Sequence, residues 1–135
     1  MDPQTDADGR LRHLLSLQGL SRAQLETLLR RAQGLTAHAY GGVGVRHALA
    51  GKAVCTLFFE PSTRTRSSFS LAAQRLGADL LNFDASTSST TKGEADIDTL
   101  KTLEAMGVHG FVVRHKRDGA VAELAAAANP GTVLL

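Results

Sequence analysis

Hydrophobic positions along this chain change period several times, and each change marks an element. From Ser21 onward, Leu25, Leu28, Leu29 and Ala32 recur at i, i+3, i+4 and i+7, the stripe of an amphipathic helix. Ser21 with Gln24 three positions later fits a capping box, and Leu20 with Leu25 has the spacing of a hydrophobic staple. Gly41, Gly42 and Gly44 break the pattern, so 41–52 reads as a glycine-containing loop. Residues 53–59 are a continuous apolar run of strand length, of the kind covered on both faces in a parallel sheet. Helical spacing returns with Phe69, Ala72, Ala73 and Leu76, and Gly77 stops that helix. A short strand over 79–83 and a polar stretch over 84–92 follow. A helix spans roughly 95–106 and ends at Gly107, 111–114 is a third strand, 120–128 a third helix after the loop, and 132–135 starts a fourth strand. Residues 1–10 carry no periodicity and read as a flexible leader, leaving 11–135 as one domain.

Strands alternating with helices imply βαβ units with right-handed crossovers. The expected fold is a three-layer α/β domain, a parallel β-sheet flanked by helices. In such sheets ligands bind beyond the carboxyl ends of the strands. Three places follow: the turn after Phe59, the loop after Phe83, and the end of the third strand at Arg114.

Composition narrows the class. The chain has 135 residues, the size of one domain, with 43% hydrophobic and 21% charged residues, enough to bury a core. Fifteen basic against thirteen acidic residues leave a formal charge of +2, spread evenly, which argues against a nucleic-acid or membrane-surface partner. Cys55 is the single cysteine, so no internal disulfide forms. No apolar run approaches the roughly 20 residues of a membrane helix, and the polar, acidic start lacks the features of a signal peptide. These features point to a cytoplasmic protein. Histidines 13, 38, 47, 109 and 115 and Cys55 show no metal-ligand spacing, so neither a metal nor another cofactor is expected.

The turn after the first strand concentrates the chemistry. Ser62, Thr63 and Thr65, with Arg64 and Arg66, lie between a buried strand and a helix start. A helix N-terminus offers unpaired N–H groups and positive potential, which suit an anion; the hydroxyls add donors, and Arg64 can grip a phosphate bidentately. Two arginines there oppose the macrodipole, a conflict that a bound anion resolves. The plainer alternative is an N-cap at Ser62 or Thr63 with solvated arginines. The glycines elsewhere do not make a nucleotide site: Arg46 stands where the first glycine of a phosphate loop would be, and His47 where a dinucleotide fingerprint needs its third. Cys55 reads as a small core residue, Arg66 as structural, and His115 as packing or capping rather than reacting.

The run over 58–69 (FFEPSTRTRSSF) resembles the signature of the carbamoyltransferases. The segment 88–107 (SSTTKGEADIDTLKTLEAMG) and the following Val112-Val113-Arg114-His115 are similar to the aspartate carbamoyltransferases in particular, within their carbamoyl-phosphate-binding half. The Lys92-Gly93-Glu94 segment favours that group over the ornithine enzymes. The resemblance implies transfer of a carbamoyl group from carbamoyl phosphate to L-aspartate, in pyrimidine biosynthesis. It implies that Ser62, Thr63, Arg64 and Thr65 hold the phosphate, and that Thr65 and Arg114 polarise the carbamoyl carbonyl. Ser88 and Lys92 would enter a neighbouring subunit's site from a mobile loop, within a homotrimer with shared active sites. On the residues alone, the favoured reading of that loop is a flexible linker with a solvated lysine. Glu60 would pair with basic residues of a second domain on closure.

In the family the chain continues into a His-Pro-x-x-Gln segment and an aspartate-binding domain. Because this sequence stops at Leu135, the expectation is a fragment inactive alone, whose aspartate partner site lies in the missing domain. Regulatory or pyrimidine-pathway partner chains belong to the same expectation. A non-catalytic carbamoyl-phosphate-binding or trimer-assembly module, or an ornithine carbamoyltransferase domain, are the alternatives.

Overall fold

A computed structural model describes residues 2–39, 47–85 and 93–135. The glycines at 41–44, Ser88 and Lys92 lie outside the described residues. The elements are α1 (Arg22–Ala39), β1 (Ala53–Phe58), α2 (Thr63–Arg75), β2 (Asp79–Asp84), α3 (Gly93–Ala105), β3 (Val108–Arg114), α4 (Ala120–Ala127) and β4 (Val133–Leu134). The strands form one four-stranded sheet in the order β2-β1-β3-β4, and every pairing is parallel. This is the expected α/β architecture of a parallel sheet with flanking helices.

Side-chain alternation along β1 sorts the helices to the two faces. Cys55 and Leu57 point to one face and join Phe111 of β3, Leu134 of β4, Leu100 and Leu103 of α3, and Leu124 and Ala125 of α4 in the buried core. Thr56 and Phe58 point to the other face, toward α2. There the Asn82 side-chain oxygen accepts from the Thr56 hydroxyl at 2.6 Å and from Ser70 of α2 at 3.0 Å. A polar residue in a central strand is thus satisfied by its neighbouring strand and the covering helix.

Strand β3 starts three residues earlier than the apolar pattern predicts. His109 and Gly110 interrupt the run, yet His109 Nδ1 accepts the Ala53 N–H at 3.0 Å where the β1–β3 register shifts. A side chain here takes the place of a ladder carbonyl. Gly110 lies opposite Val54, whose methyl group would sit 3.7 Å from an added Cβ.

Three expectations change. The capping box of α1 forms: the Gln24 N–H donates to Ser21 Oγ at 3.2 Å, and the Ser21 N–H to Gln24 Oε1 at 2.8 Å. Its apolar stripe, however, is not buried, and Leu29 is 65% exposed. Periodicity identifies an apolar face without saying what covers it. The stripe of α2 behaves similarly. Ala73 is buried, whereas Phe69, Ala72 and Leu76 line an open apolar groove of about 500 Å³ with Val54, Val112 and Leu135.

The segment expected to be a loose leader is tied down. Gln4 is buried; its Oε1 accepts the Leu15 and Ser16 N–H groups at 2.8 Å each, and its Nε2 donates to the Gln18 carbonyl at 3.1 Å. One amide therefore satisfies three backbone groups of the following turn. His13, also buried, accepts the Leu134 N–H on Nδ1 at 3.0 Å and so fastens this hook to β4.

Burial, and secondarily the charge of Arg12, hold the His13 imidazole below its ordinary value of 6.5. As pH falls through 6.5 the unfolded chain takes up a proton that the folded chain resists. The contribution is therefore complete above that pH and is lost progressively below it. Asn carries an acceptor in place of Nδ1 and does not titrate. His13→Asn is expected to flatten the decline in unfolding free energy between about pH 7 and pH 5, measured by urea titration. An unchanged slope in the variant would exclude His13 as its source.

Candidate functional site

Parallel register brings three strand ends to one edge of the sheet. Phe58 lies opposite both Asp84 of β2 and Arg114 of β3. Beyond the strands the alignment continues, with the Ala85 N–H bonded to the Phe58 carbonyl and the Phe59 N–H to the Arg114 carbonyl, each at 2.8 Å. The chain then turns through Glu60 and Pro61 to Ser62, the N-cap of α2.

That helix start carries no side-chain cap of its own. Ser62 is extended (φ −158°), its side chain makes no capping hydrogen bond, and the first turn holds no acidic residue. The Arg66 N–H closes the first intrahelical bond, to the Ser62 carbonyl at 3.0 Å. The N–H groups of Thr63, Arg64 and Thr65 precede it and have no partner within the helix. The Ser67 hydroxyl donates backward to the Thr63 carbonyl at 2.7 Å, so it leaves those donors unoccupied. Arg64 is exposed, and no described side chain pairs with it.

The other two arginines are engaged. Arg66 packs on an aromatic ring: its guanidinium carbon lies 5.0 Å from the centre of Phe58, and its buried Nε has no hydrogen-bond partner. This is a cation–π contact, and it gives Arg66 the structural role its sequence position suggests. Arg114 Nε donates to Glu60 Oε1 at 2.8 Å. Their side chains are 45% and 31% exposed, so the pair contributes only about 0–1 kcal/mol and can be exchanged for a competing anion. Glu60, Ser62–Thr65 and Arg114 thus share one crevice edge.

A contact that sequence reasoning missed lies directly beside Arg114. His115 meets Asp96 of α3, Nε2 to Oδ2, at 3.0 Å, and its ring centre lies 4.5 Å from that of Phe59. Nineteen residues separate the pair in sequence. Asp96 in a first helical turn reads as an ordinary dipole-favoured surface charge, so no local signal announces it. Cys55 is free and fully buried, and burial pushes its thiol up to about 12, the property of a core residue and not of a nucleophile. Among the described residues no cluster of His, Cys, Asp or Glu could hold a metal ion, and no helix is long and apolar enough to cross a membrane.

Residues 12–134 match the family model described as the aspartate/ornithine carbamoyltransferase carbamoyl-phosphate-binding domain. The chain is 71% identical over 132 residues to the aspartate carbamoyltransferase catalytic subunit of Xanthomonas campestris pv. campestris (strain B100), covering 98% of this chain and 42% of that protein. It is 70% identical over 133 residues to the corresponding subunit of Stenotrophomonas maltophilia (strain R551-3), with the same coverage. The chain therefore spans about two fifths of the length of these relatives. Among solved structures, aspartate transcarbamoylase from Trypanosoma cruzi in complex with carbamoyl phosphate and aspartate superposes with a TM-score of 0.75. It is 34% identical, over 92% of this chain and 38% of that one. Ornithine carbamoyltransferase from Thermus thermophilus gives a TM-score of 0.74 at 29% identity, over 91% and 41%.

Because Glu60 competes for Arg114, Glu60→Gln is expected to bind carbamoyl phosphate a few-fold more tightly than the parent, the equivalent of up to about 1 kcal/mol. Isothermal titration of both proteins decides this. Weaker binding by the variant would mean that Glu60 helps to hold the anion.

Proposed function

The chain belongs to the aspartate/ornithine carbamoyltransferase family, to its carbamoyl-phosphate-binding domain, and from that premise we propose that residues 11–135 form the carbamoyl-phosphate half of an aspartate carbamoyltransferase. The reaction transfers the carbamoyl group of carbamoyl phosphate to the amino group of L-aspartate, releasing phosphate and N-carbamoyl-L-aspartate for pyrimidine biosynthesis. The observation that carries this reading is the start of α2: uncapped by its own side chains, free of acidic residues, bearing Arg64, and level with Arg114 at the end of β3.

In this reading the phosphate lies against the N–H groups of the first helical turn, with Ser62, Thr63 and Thr65 hydroxyls around it and the Arg64 guanidinium across it. Arg64 offsets the charge that grows on phosphate as the C–O bond breaks. Thr65 and Arg114 donate to the carbamoyl oxygen, which becomes an oxyanion when the amine attacks. No covalent intermediate on the protein is required. The amine forms its bond to the carbamoyl carbon, phosphate leaves, and catalysis comes from positioning and charge stabilisation. Glu60, released from Arg114 when the ligand binds, becomes available for contacts that accompany domain closure.

Identity of 71% to an aspartate carbamoyltransferase catalytic subunit supports aspartate as the second substrate. Ser88 and Lys92, completing the site of a neighbouring subunit in a homotrimer, belong to the same proposal and rest on the sequence resemblance. So do the cytoplasmic location and the aspartate-binding contribution of a further domain.

Calorimetric titration with carbamoyl phosphate tests the anion site. The parent is expected to bind, and Arg64→Ala to bind at least about tenfold more weakly, since charge-assisted hydrogen bonds contribute about 1.5–3 kcal/mol. Absence of binding by the folded parent, or equal affinity in the variant, would overturn the placement of the phosphate.

A further inference from the structure

His115 follows Arg114 directly, yet its side chain serves neither solvent nor ligand. The ring is held on three sides. Nδ1 accepts the Arg117 N–H at 2.9 Å, Nε2 lies 3.0 Å from Asp96 Oδ2, and the ring face packs on Phe59 with centres 4.5 Å apart. Since Nδ1 is an acceptor, the ring proton is on Nε2 and is donated to Asp96. The two side chains are only 8% and 14% exposed, a degree of burial unlike that of the neighbouring Arg114–Glu60 pair.

Each contact belongs to a different element. Asp96 sits in the first turn of α3, Phe59 begins the β1–α2 turn just before Glu60, and Arg117 belongs to the β3–α4 connection. Arg117 is itself fixed to Glu123 of α4 by two hydrogen bonds of 2.9 and 2.8 Å. Phe59 is gripped twice, by the ring and through its N–H to the Arg114 carbonyl at 2.8 Å. The imidazole therefore joins the segment that carries Glu60 and the start of α2 to the strand end that carries Arg114.

We propose that the Asp96–His115 pair is a positioning device of the anion site: Asp96 fixes the imidazole, and the imidazole sets Arg114 and Glu60 relative to the N-terminus of α2. This rests on the carbamoyl-phosphate reading for its ligand but not for its geometry. An acceptor is all that Nε2–H needs at position 96. Asn, whose side-chain oxygen can take the same bond, should therefore preserve the arrangement, and Ala should release it.

The test uses the full 135-residue chain in three forms: parent, Asp96→Ala and Asp96→Asn. Nitrogen-15 NMR of the histidine rings is expected to give the Nε2–H tautomer for His115 in the parent and in Asp96→Asn, and tautomer averaging in Asp96→Ala. The Arg114 Nε–H resonance, held by Glu60, should be retained in Asp96→Asn and shifted or broadened in Asp96→Ala. Affinity for carbamoyl phosphate should fall about tenfold in Asp96→Ala, the low end of what outer-shell partners contribute at metal sites, and stay within about twofold of the parent in Asp96→Asn. An Arg114 resonance unchanged in folded Asp96→Ala would overturn the proposal, as would parental affinity in that variant. Failure of the parent to bind carbamoyl phosphate would instead refute the functional reading, while the Arg114 resonance would still decide the positioning role. Should Asp96→Ala not fold, His115→Asn retains an acceptor for the Arg117 N–H while removing both the ring and the bond to Asp96. It is expected to displace the Arg114 resonance in the same way, and an unmoved resonance there would be equally decisive against the proposal.

Discussion

Parallel pairing sets Phe58 of β1 opposite Arg114 of β3 and Asp84 of β2, and that register decides which side chains can meet at the sheet edge. Because strands in one parallel sheet run the same way, their carboxyl ends collect at one edge, and the turns leaving them become neighbours despite wide separation in sequence. The β1–α2 turn and the end of β3 are more than fifty residues apart, yet Glu60 reaches Arg114 with a single hydrogen bond. A slip of one residue in this pairing would exchange the faces of β3 and carry Arg114 away from Glu60. The buried core on the opposite face, Cys55 and Leu57 against α3 and α4, therefore does more than stabilise the fold. It fixes the register on which the crevice depends.

Charge is distributed around that crevice by how firmly each cation is held. Arg66 lies over the Phe58 ring with its Nε buried, so its position is set by packing. Arg114 is held by one exposed carboxylate and is exchangeable at little cost. Arg64 is exposed on a helix start that supplies no acidic residue to neutralise it. In the proposed reading, a dianion arriving there meets one guanidinium that no described side chain pairs and one easily released, while the third packs on a ring. Such a gradient combines donors that stand in place before charge develops with one guanidinium whose release from Glu60 accompanies binding.

Much of this was legible in the residues, and the part that was not has identifiable causes. The alternation of strand-length apolar runs with helical stripes specifies the element order and the parallel sheet. The hydroxyl and arginine residues between Phe59 and Phe69 lie, as their position after the first strand suggests, at the start of α2, where the anion site is proposed. Ser21 and Gln24 announce the start of α1 through bonds that depend only on local spacing. What escaped are features set by tertiary neighbours. Gln4 sits in a polar, acidic segment, and its burial follows only once the Leu15, Ser16 and Gln18 backbone folds around it. His109 looks like an interruption of β3 until the register shift places the Ala53 N–H against its ring. The faces of α1 and α2 are correctly apolar, yet burial depends on what packs against them, which periodicity does not encode.

The same distinction separates what was legible of His115 from what was not. Its place at a strand end reads as packing or capping, and the ring does pack on Phe59 and accept the Arg117 N–H, but which elements it joins is not a local property. Three elements converge on it because β3 delivers it to the sheet edge where α3 begins and the β1–α2 turn departs. Once the Arg117 N–H occupies Nδ1, the ring can donate only through Nε2, and Asp96 is the acceptor within reach. Satisfying a largely buried imidazole in this way leaves one orientation of the ring. Phe59 packs against that orientation, and its N–H binds the carbonyl of Arg114, the residue next in line. Two loosely tethered charges, Glu60 and Arg114, are thereby flanked by a rigid polar node. The exchangeable contacts of the crevice stand on contacts that do not exchange.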